Sequence, residues 1–125
     1  ELYPVILAHE PGGSSFHTVN HYAQQILSDV FQKYDWGPEE NLRRWGQTTP
    51  PALNLQGPMP PIGFFHGAND FLANPEDVER VAGEIQNLQL NFLVEYKRWN
   101  HIDFCWGIHA KEYVYDYVLE FLSGY

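Results

Sequence analysis

The chain has 125 residues, a formal charge of −9, and is 44% hydrophobic and 16% aromatic. That length suits one domain, and the composition is neither disordered nor of low complexity. The only basic pairs are Arg43-Arg44 and Lys97-Arg98, which disfavours a nucleic-acid partner, and no apolar run approaches the roughly 18–20 residues of a membrane span.

Leu2 to Ala8 is an apolar run interrupted by Pro4, which reads as a short strand or a packed extended segment. His9 to Ser15 is a turn by composition, and Ser14 or Ser15 can cap a helix starting at Phe16. From Phe16, the apolar positions Val19, Tyr22, Ala23, Ile26, Leu27, Val30 and Phe31 recur at spacings of three and four. That is one helical stripe, expected to end near Tyr34 to Gly37. Residues 37 to 61 hold most of the prolines and show no period, so they read as a long loop packed by Trp36, Trp45 and Leu53. Loops of this length often belong to a lid or cap, although a plain connection across the domain fits equally well.

Ile62 to Phe65 is a short continuous apolar run, as expected of a buried parallel strand. Asn74-Pro75-Glu76-Asp77 is a helix start: a cap, a proline at the first helical position, and two acids at the positive end of the dipole. That helix is predicted to run to about Leu88, with Val78, Val81, Ala82 and Ile85 inward. Asn91 to Tyr96 reads as a second strand and Ala110 to Leu122 as a closing helix. Strand, helix, strand, helix predicts a right-handed parallel crossover within an α/β sheet. Two parallel strands leave edges and faces to be covered, so the core is expected to be incomplete. It would be completed by chain before Glu1 or by a second chain.

Catalytic groups in open α/β sheets gather beyond the carboxyl ends of the strands. Asp70 follows the first strand and His101 the second, so the two side chains can meet. Acid before histidine is also the order in which an α/β-hydrolase presents the last two members of its triad. In that role His101 takes a proton from a hydroxyl nucleophile and Asp70 fixes its tautomer. The plainer reading makes Asp70 a turn residue and His101 an ordinary loop histidine.

Other groups invite weighing. Asp103, two positions after His101, either anchors the loop or joins His66, Asp70 and His101 at a metal; the anchor is favoured. His17 and His21, four apart on one helical face, fit zinc less well than a solvated face. Cys105 reads as a small buried hydrophobe rather than a reactive thiol. It is the only cysteine, so no internal disulfide forms and the count assigns no compartment. Trp99 and Trp106 read as packing. The chain begins at Glu1, has no signal-like segment and has no Asn-x-Ser/Thr sequon, so it reads as a processed product or a piece of a longer chain.

Several stretches together carry a resemblance. They are Pro4-Val5 through His9-x-Pro11-x-Gly13-x-Ser15, Phe31-x3-Asp35-Trp36-Gly37 and Pro50-Pro51-Ala52-Leu53-Asn54. They continue with Gly67-x2-Asp70-x-Leu72-Ala73-x-Pro75-x-Asp77-Val78 and Trp99-Asn100-His101-x-Asp103-Phe104-x-Trp106-Gly107. From Tyr3 to Leu122 the sequence resembles the C-terminal part of the acid lipase family, the gastric and lysosomal acid lipases and their insect and nematode relatives. His66 and Cys105 depart from that pattern beside the site, and the family's cap cysteines and glycosylation sites are missing.

The resemblance implies the C-terminal portion of an α/β-hydrolase fold, with its last parallel strands and helices and part of the cap, incomplete without the N-terminal part. Residues 1–60 would be the cap remainder and connecting loop, and residues 61–125 the core portion carrying the triad acid Asp70 and base His101. The triad serine, in a Gly-His-Ser-Gln-Gly elbow, would lie upstream; Ser14-Ser15 falls in the cap region and is rejected as the nucleophile. The implied activity is hydrolysis of neutral lipid esters, triacylglycerol or sterol ester, with no cofactor and no metal. The implied partners are the lipid ester, the N-terminal half of the hydrolase and, peripherally, a lipid interface. The implied location is secreted or lysosomal. A non-catalytic subunit or lipid-binding module is the alternative.

Overall fold

The computed structural model describes residues 3–10 and 12–125. Glu1, Leu2 and Pro11, where the first apolar run and the following turn were expected to take part, lie outside the described residues. The chain divides into two compact units, residues 1–54 and 55–125.

In the first unit, α1 spans Tyr3–His9. The strand or extended segment expected there is a helix, because a proline near the first helical turn is tolerated. Helix α2 spans Phe16–Ser28, and Ser15 caps it by accepting a hydrogen bond from the His17 N–H. It stops well before Tyr34, because Asp29 takes a left-handed conformation (φ 53°) and its N–H closes on the Gln25 carbonyl. Asp is one of the few side chains that tolerate that backbone. The chain then runs extended and pairs with the segment 51–53: Lys33 N–H donates to the Pro51 carbonyl at 3.0 Å and Leu53 N–H to the Phe31 carbonyl at 2.8 Å.

The long loop expected over 37–61 contains a helix, α3, Pro38–Trp45. Its signals are all local: Pro38 at the start, Glu39 and Glu40 in the first turn, and Arg43 and Arg44 in the last. Gly46 then ends it at φ 72°. Proline at the start, dipole-matched charges and a terminal glycine define a helix even without an apolar period. Asn41 on α3 is fully buried. Its Oδ1 accepts from Trp36 N–H, and its Nδ2 donates to Asp35 Oδ1 at 2.7 Å and to the Thr48 carbonyl at 3.0 Å.

In the second unit, β1 spans Ile62–His66 and β2 spans Leu88–Leu93. They form a two-stranded parallel sheet, Gly63 opposite Leu90 and His66 opposite Leu93, with one irregularity between Ile62 and Gly63. Strand β2 begins and ends about three residues earlier than expected, and Val94 continues the ladder by donating to the His66 carbonyl at 2.9 Å. Helix α4, Pro75–Glu84, starts at the Asn74 cap as predicted but ends before Ile85, which turns extended. After β2 come a short helix, α5, Asp103–Trp106, and then the expected closing helix, continuous from Lys111 to Ser123, whose first part, Lys111–Tyr115, is a π-helical turn that runs on into α6, Asp116–Ser123.

Successive residues of a strand point to opposite faces. Asn91 donates to Glu79 of α4 at 3.0 Å, whereas the Phe92 ring lies 4.6 Å from the Tyr117 ring of α6. One helix therefore covers each face of the sheet. The cover is partial: β2 alternates half-buried and exposed positions along its length, rather than being buried on both sides. The buried apolar core is Val94, Trp99, Ala110 and Val114, flanked by Phe65, Phe92, Phe104, Tyr113 and Val118. Of these, Val94 directly follows β2 and Trp99 lies in the loop after it, so the core adjoins the carboxyl ends of the strands.

Candidate active site

The two loops leaving those strand ends are drawn together by Gly67. A Cβ at this position would fall 2.4 Å from the Trp99 carbonyl oxygen. Only glycine permits so close an approach. Trp99 is 3% exposed and its ring packs edge-on against Phe104 and Tyr113. The price of that enclosure is polar, since the Trp99 Nε1 and His66 Nδ1 atoms are buried without a hydrogen-bond partner among the described residues.

The Asp70 turn is built by its own carboxylate. Oδ1 accepts from Leu72 N–H at 2.9 Å and from Ala73 N–H at 2.8 Å. This is the local side-chain-to-backbone turn that Asp favours. Oδ2 is left to face His101 Nδ1 at 3.0 Å. The Asp70 side chain is 2% exposed and that of His101 is 54% exposed. Burial pushes the Asp70 carboxyl up, but the N–H groups of Ala73 and Leu72, and then His101, outweigh it, so it lies below the ordinary carboxylate range. An ionised carboxylate only accepts hydrogen bonds, so Nδ1 carries the imidazole hydrogen and neutral His101 keeps its lone pair on Nε2. Nε2 makes no hydrogen bond among the described residues.

The histidine loop has its own anchor. Asp103 Oδ2 accepts from Asn100 N–H at 2.9 Å, Asn100 Oδ1 accepts from Ile102 N–H, and Asp103 N–H returns to the Asn100 carbonyl. Asp103 is thus a loop-anchoring carboxylate. His66 is drawn elsewhere: it is buried, with Nε2 3.8 Å from Glu79 Oε1. Among the described residues no group of three or more His, Cys, Asp or Glu side chains is arranged to hold a metal. Of His66, Asp70, His101 and Asp103, the structure joins only Asp70 and His101 by a hydrogen bond.

Other expectations change. Cys105 is exposed, not buried, because it falls on the outer side of the short helix α5. His17 and His21 are not a free solvated pair. The His17 ring lies 5.2 Å from Tyr34 and 5.1 Å from Trp36, and His21 Nε2 donates to the Gln32 carbonyl. Sequence reasoning passed over Asn69, whose N–H donates to the Trp99 carbonyl and whose Nδ2 donates to the Arg98 carbonyl, both at 3.1 Å. Its only sequence signal is its position in the turn beside Asp70.

No family model matches the chain. It is 35% identical over its whole length to Lipase 3 of Drosophila melanogaster, covering 32% of that protein. Over 97% of its length it is 36% identical to Lipase member N of Mus musculus, covering 30% of it. Over 95% it is 36% identical to the gastric triacylglycerol lipase of Bos taurus, again covering 30%. The chain therefore spans about a third of the length of the curated relatives it matches. The resemblance to acid lipases drawn from the motifs is borne out over the full chain.

Proposed function

From this homology to the acid lipases, we propose that the chain is the C-terminal part of a serine ester hydrolase of α/β-hydrolase fold, acting on neutral lipid esters such as triacylglycerol or sterol ester. The observation that carries the reading is the Asp70–His101 pair: a buried, ionised carboxylate on Nδ1 and an imidazole whose Nε2 is unengaged. An imidazole in this state is a ready general base. Nε2 takes the proton of a serine hydroxyl as the oxygen attacks the ester carbonyl, and Asp70 stabilises the imidazolium that results. The same proton then passes to the departing alcohol. Water attacks the acyl-enzyme by the same route and frees the fatty acid.

The serine and the backbone N–H groups that stabilise the tetrahedral oxyanion belong, in this reading, to the N-terminal part of the hydrolase. In the same reading residues 1–60 are the remainder of the cap region with its connecting loop, and residues 61–125 are the core portion that carries Asp70 and His101. Neither cofactor nor metal is required. Homology to gastric-type lipases supports a secreted or lysosomal location and contact with a lipid interface.

The test uses the full-length protein on an emulsified neutral ester. His101→Ala lowers kcat by about 10⁴–10⁶-fold, and Asp70→Asn, which removes the tautomer lock, by about 10⁴-fold, with folding verified by thermal unfolding. A serine-directed phosphonate abolishes turnover. Activity that survives His101→Ala sinks the assignment. Activity that survives the phosphonate but not a chelator points to a metal instead. A correctly folded full-length protein with no ester turnover favours the non-catalytic module.

A further inference from the structure

We propose that Asn69 is a positioning residue that locks the Asp70 turn to the segment entering His101, holding carboxylate and imidazole in register through both proton transfers. The proposal rests on the ester-hydrolase reading. Two successive carbonyls lead into His101, those of Arg98 and Trp99, and Asn69 holds both: Nδ2 donates to the first and the backbone N–H to the second, each at 3.1 Å. Its neighbour Asp70 closes the turn by donating its N–H to the Gly67 carbonyl at 3.3 Å. One residue thus ties the acid's turn to the base's loop, immediately beside the acid.

The imidazole needs such a device. Its side chain is more than half exposed and Nε2 is unengaged, so packing does not fix the ring. A single hydrogen bond to Asp70 leaves it free to pivot. Downstream, Asp103 holds the loop through the Asn100 N–H. Upstream, the side-chain amide of Asn69 is the matching hold. The ordinary reason for asparagine in a turn does not apply. Asn is favoured there because it tolerates positive φ or bonds its own backbone two residues on. Among the described residues Asp29 is the only non-glycine with positive φ, and the Asn69 amide reaches across to a residue 29 positions away.

The experiment compares Asn69→Ala, Asn69→Asp and His101→Ala in the full-length protein. It measures kcat, KM and Tm and follows the Nδ1–H proton of His101 by NMR, which hydrogen bonding to Asp70 shifts downfield. Losing one neutral hydrogen bond at a partly exposed site lowers kcat about tenfold, with KM and Tm near the parent values and the Nδ1–H signal broadened or lost. Asn69→Asp, equal in shape but unable to donate to a carbonyl, falls at least as far. Parent-like kcat and Nδ1–H signal in Asn69→Ala, with His101→Ala inactive, overturn this inference and leave the hydrolase reading standing. A fall in kcat matched by a fall in Tm overturns it too, by making Asn69 merely structural. Full activity in His101→Ala removes the hydrolase reading and this inference with it.

Discussion

The two units of the chain are held by opposite kinds of centre. Among the described residues of 1–54 the fully buried side chain is polar: Asn41 joins Trp36, Asp35 and Thr48, while the stripe of α2 stands outward, with Phe16 76% and Leu27 87% exposed. Around it, Lys33 lies over the Trp45 ring and Arg44 over the Trp36 ring, so even the tryptophans are covered by charged side chains. In residues 55–125 the centre is apolar, with Trp99 wedged among Val94, Ala110 and Val114. The polar groups buried beside it are His66 and Asp70. An apolar centre excludes water from a neighbouring carboxylate and so strengthens its hydrogen bonds. The Asn41 network shapes a loop segment and leaves an apolar helix face uncovered within its own unit.

Truncating each centre separates these two modes. Trp99→Ala is expected to have the larger effect. It removes the ring that fills the core and backs both loops, costing about 3–5 kcal/mol, seen as a lower unfolding midpoint in denaturant. A cost under about 1 kcal/mol would place Trp99 among ordinary surface positions and would dissolve the contrast. Asn41→Ala comes next. It leaves the Trp36 N–H and the Thr48 carbonyl without their partner in a part-buried site, at about 1 kcal/mol, with faster hydrogen exchange in residues 31–48. Unchanged exchange there would show that the network does not hold the segment.

The smallest effect, and the sharpest test, is on pH dependence. Beside each centre a carboxylate is lowered by its surroundings: Asp35 by Asn41 and then Gly37, and Asp70 by the N–H groups of Ala73 and Leu72 and then His101, against an opposing burial effect; on α3, Glu40 is lowered too, to about 2, by Arg43 and Arg44. A carboxyl whose folded pKa lies below its unfolded value contributes stability fully above the unfolded value, about 3.9 for Asp. It loses that contribution as pH falls through the folded value. Asp70→Asn and Asp35→Asn should therefore each flatten the acid decline of stability in urea titrations below about pH 4. Asn41→Ala should reproduce the Asp35→Asn profile without altering that of Asp70. An acid decline unaltered by Asp70→Asn would mean that its carboxylate is not held as described.

What was legible in the residues was local. Asn74-Pro75-Glu76-Asp77 specified a helix start, Ser15 a cap, and Ile62 to Phe65 a strand, because each depends on neighbours within a turn of chain. Helix α3 was legible by the same rules, from Gly37-Pro38 through the paired charges to Gly46, but it has no apolar period and is masked by the prolines around it. The ends of α2 and α4 were misplaced because an apolar stripe continued past residues, Asp29 and Ile85, at which the backbone leaves the helix. Cys105 was misjudged because burial depends on which side of a four-residue helix faces the core.

The sequence by itself determined the chain order of Asp70 and His101, the strand-then-turn setting of Asp70, and the likeness to acid lipases, since these need only residue identity and spacing. Only the tertiary structure decided that the two side chains meet, that Asp70 is dry while Nε2 of His101 stays unengaged, and that Asn69 spans the two loops. Those facts depend on Gly67 and Trp99 bringing together segments some thirty residues apart. Long-range contact arises from packing that no short window of sequence contains.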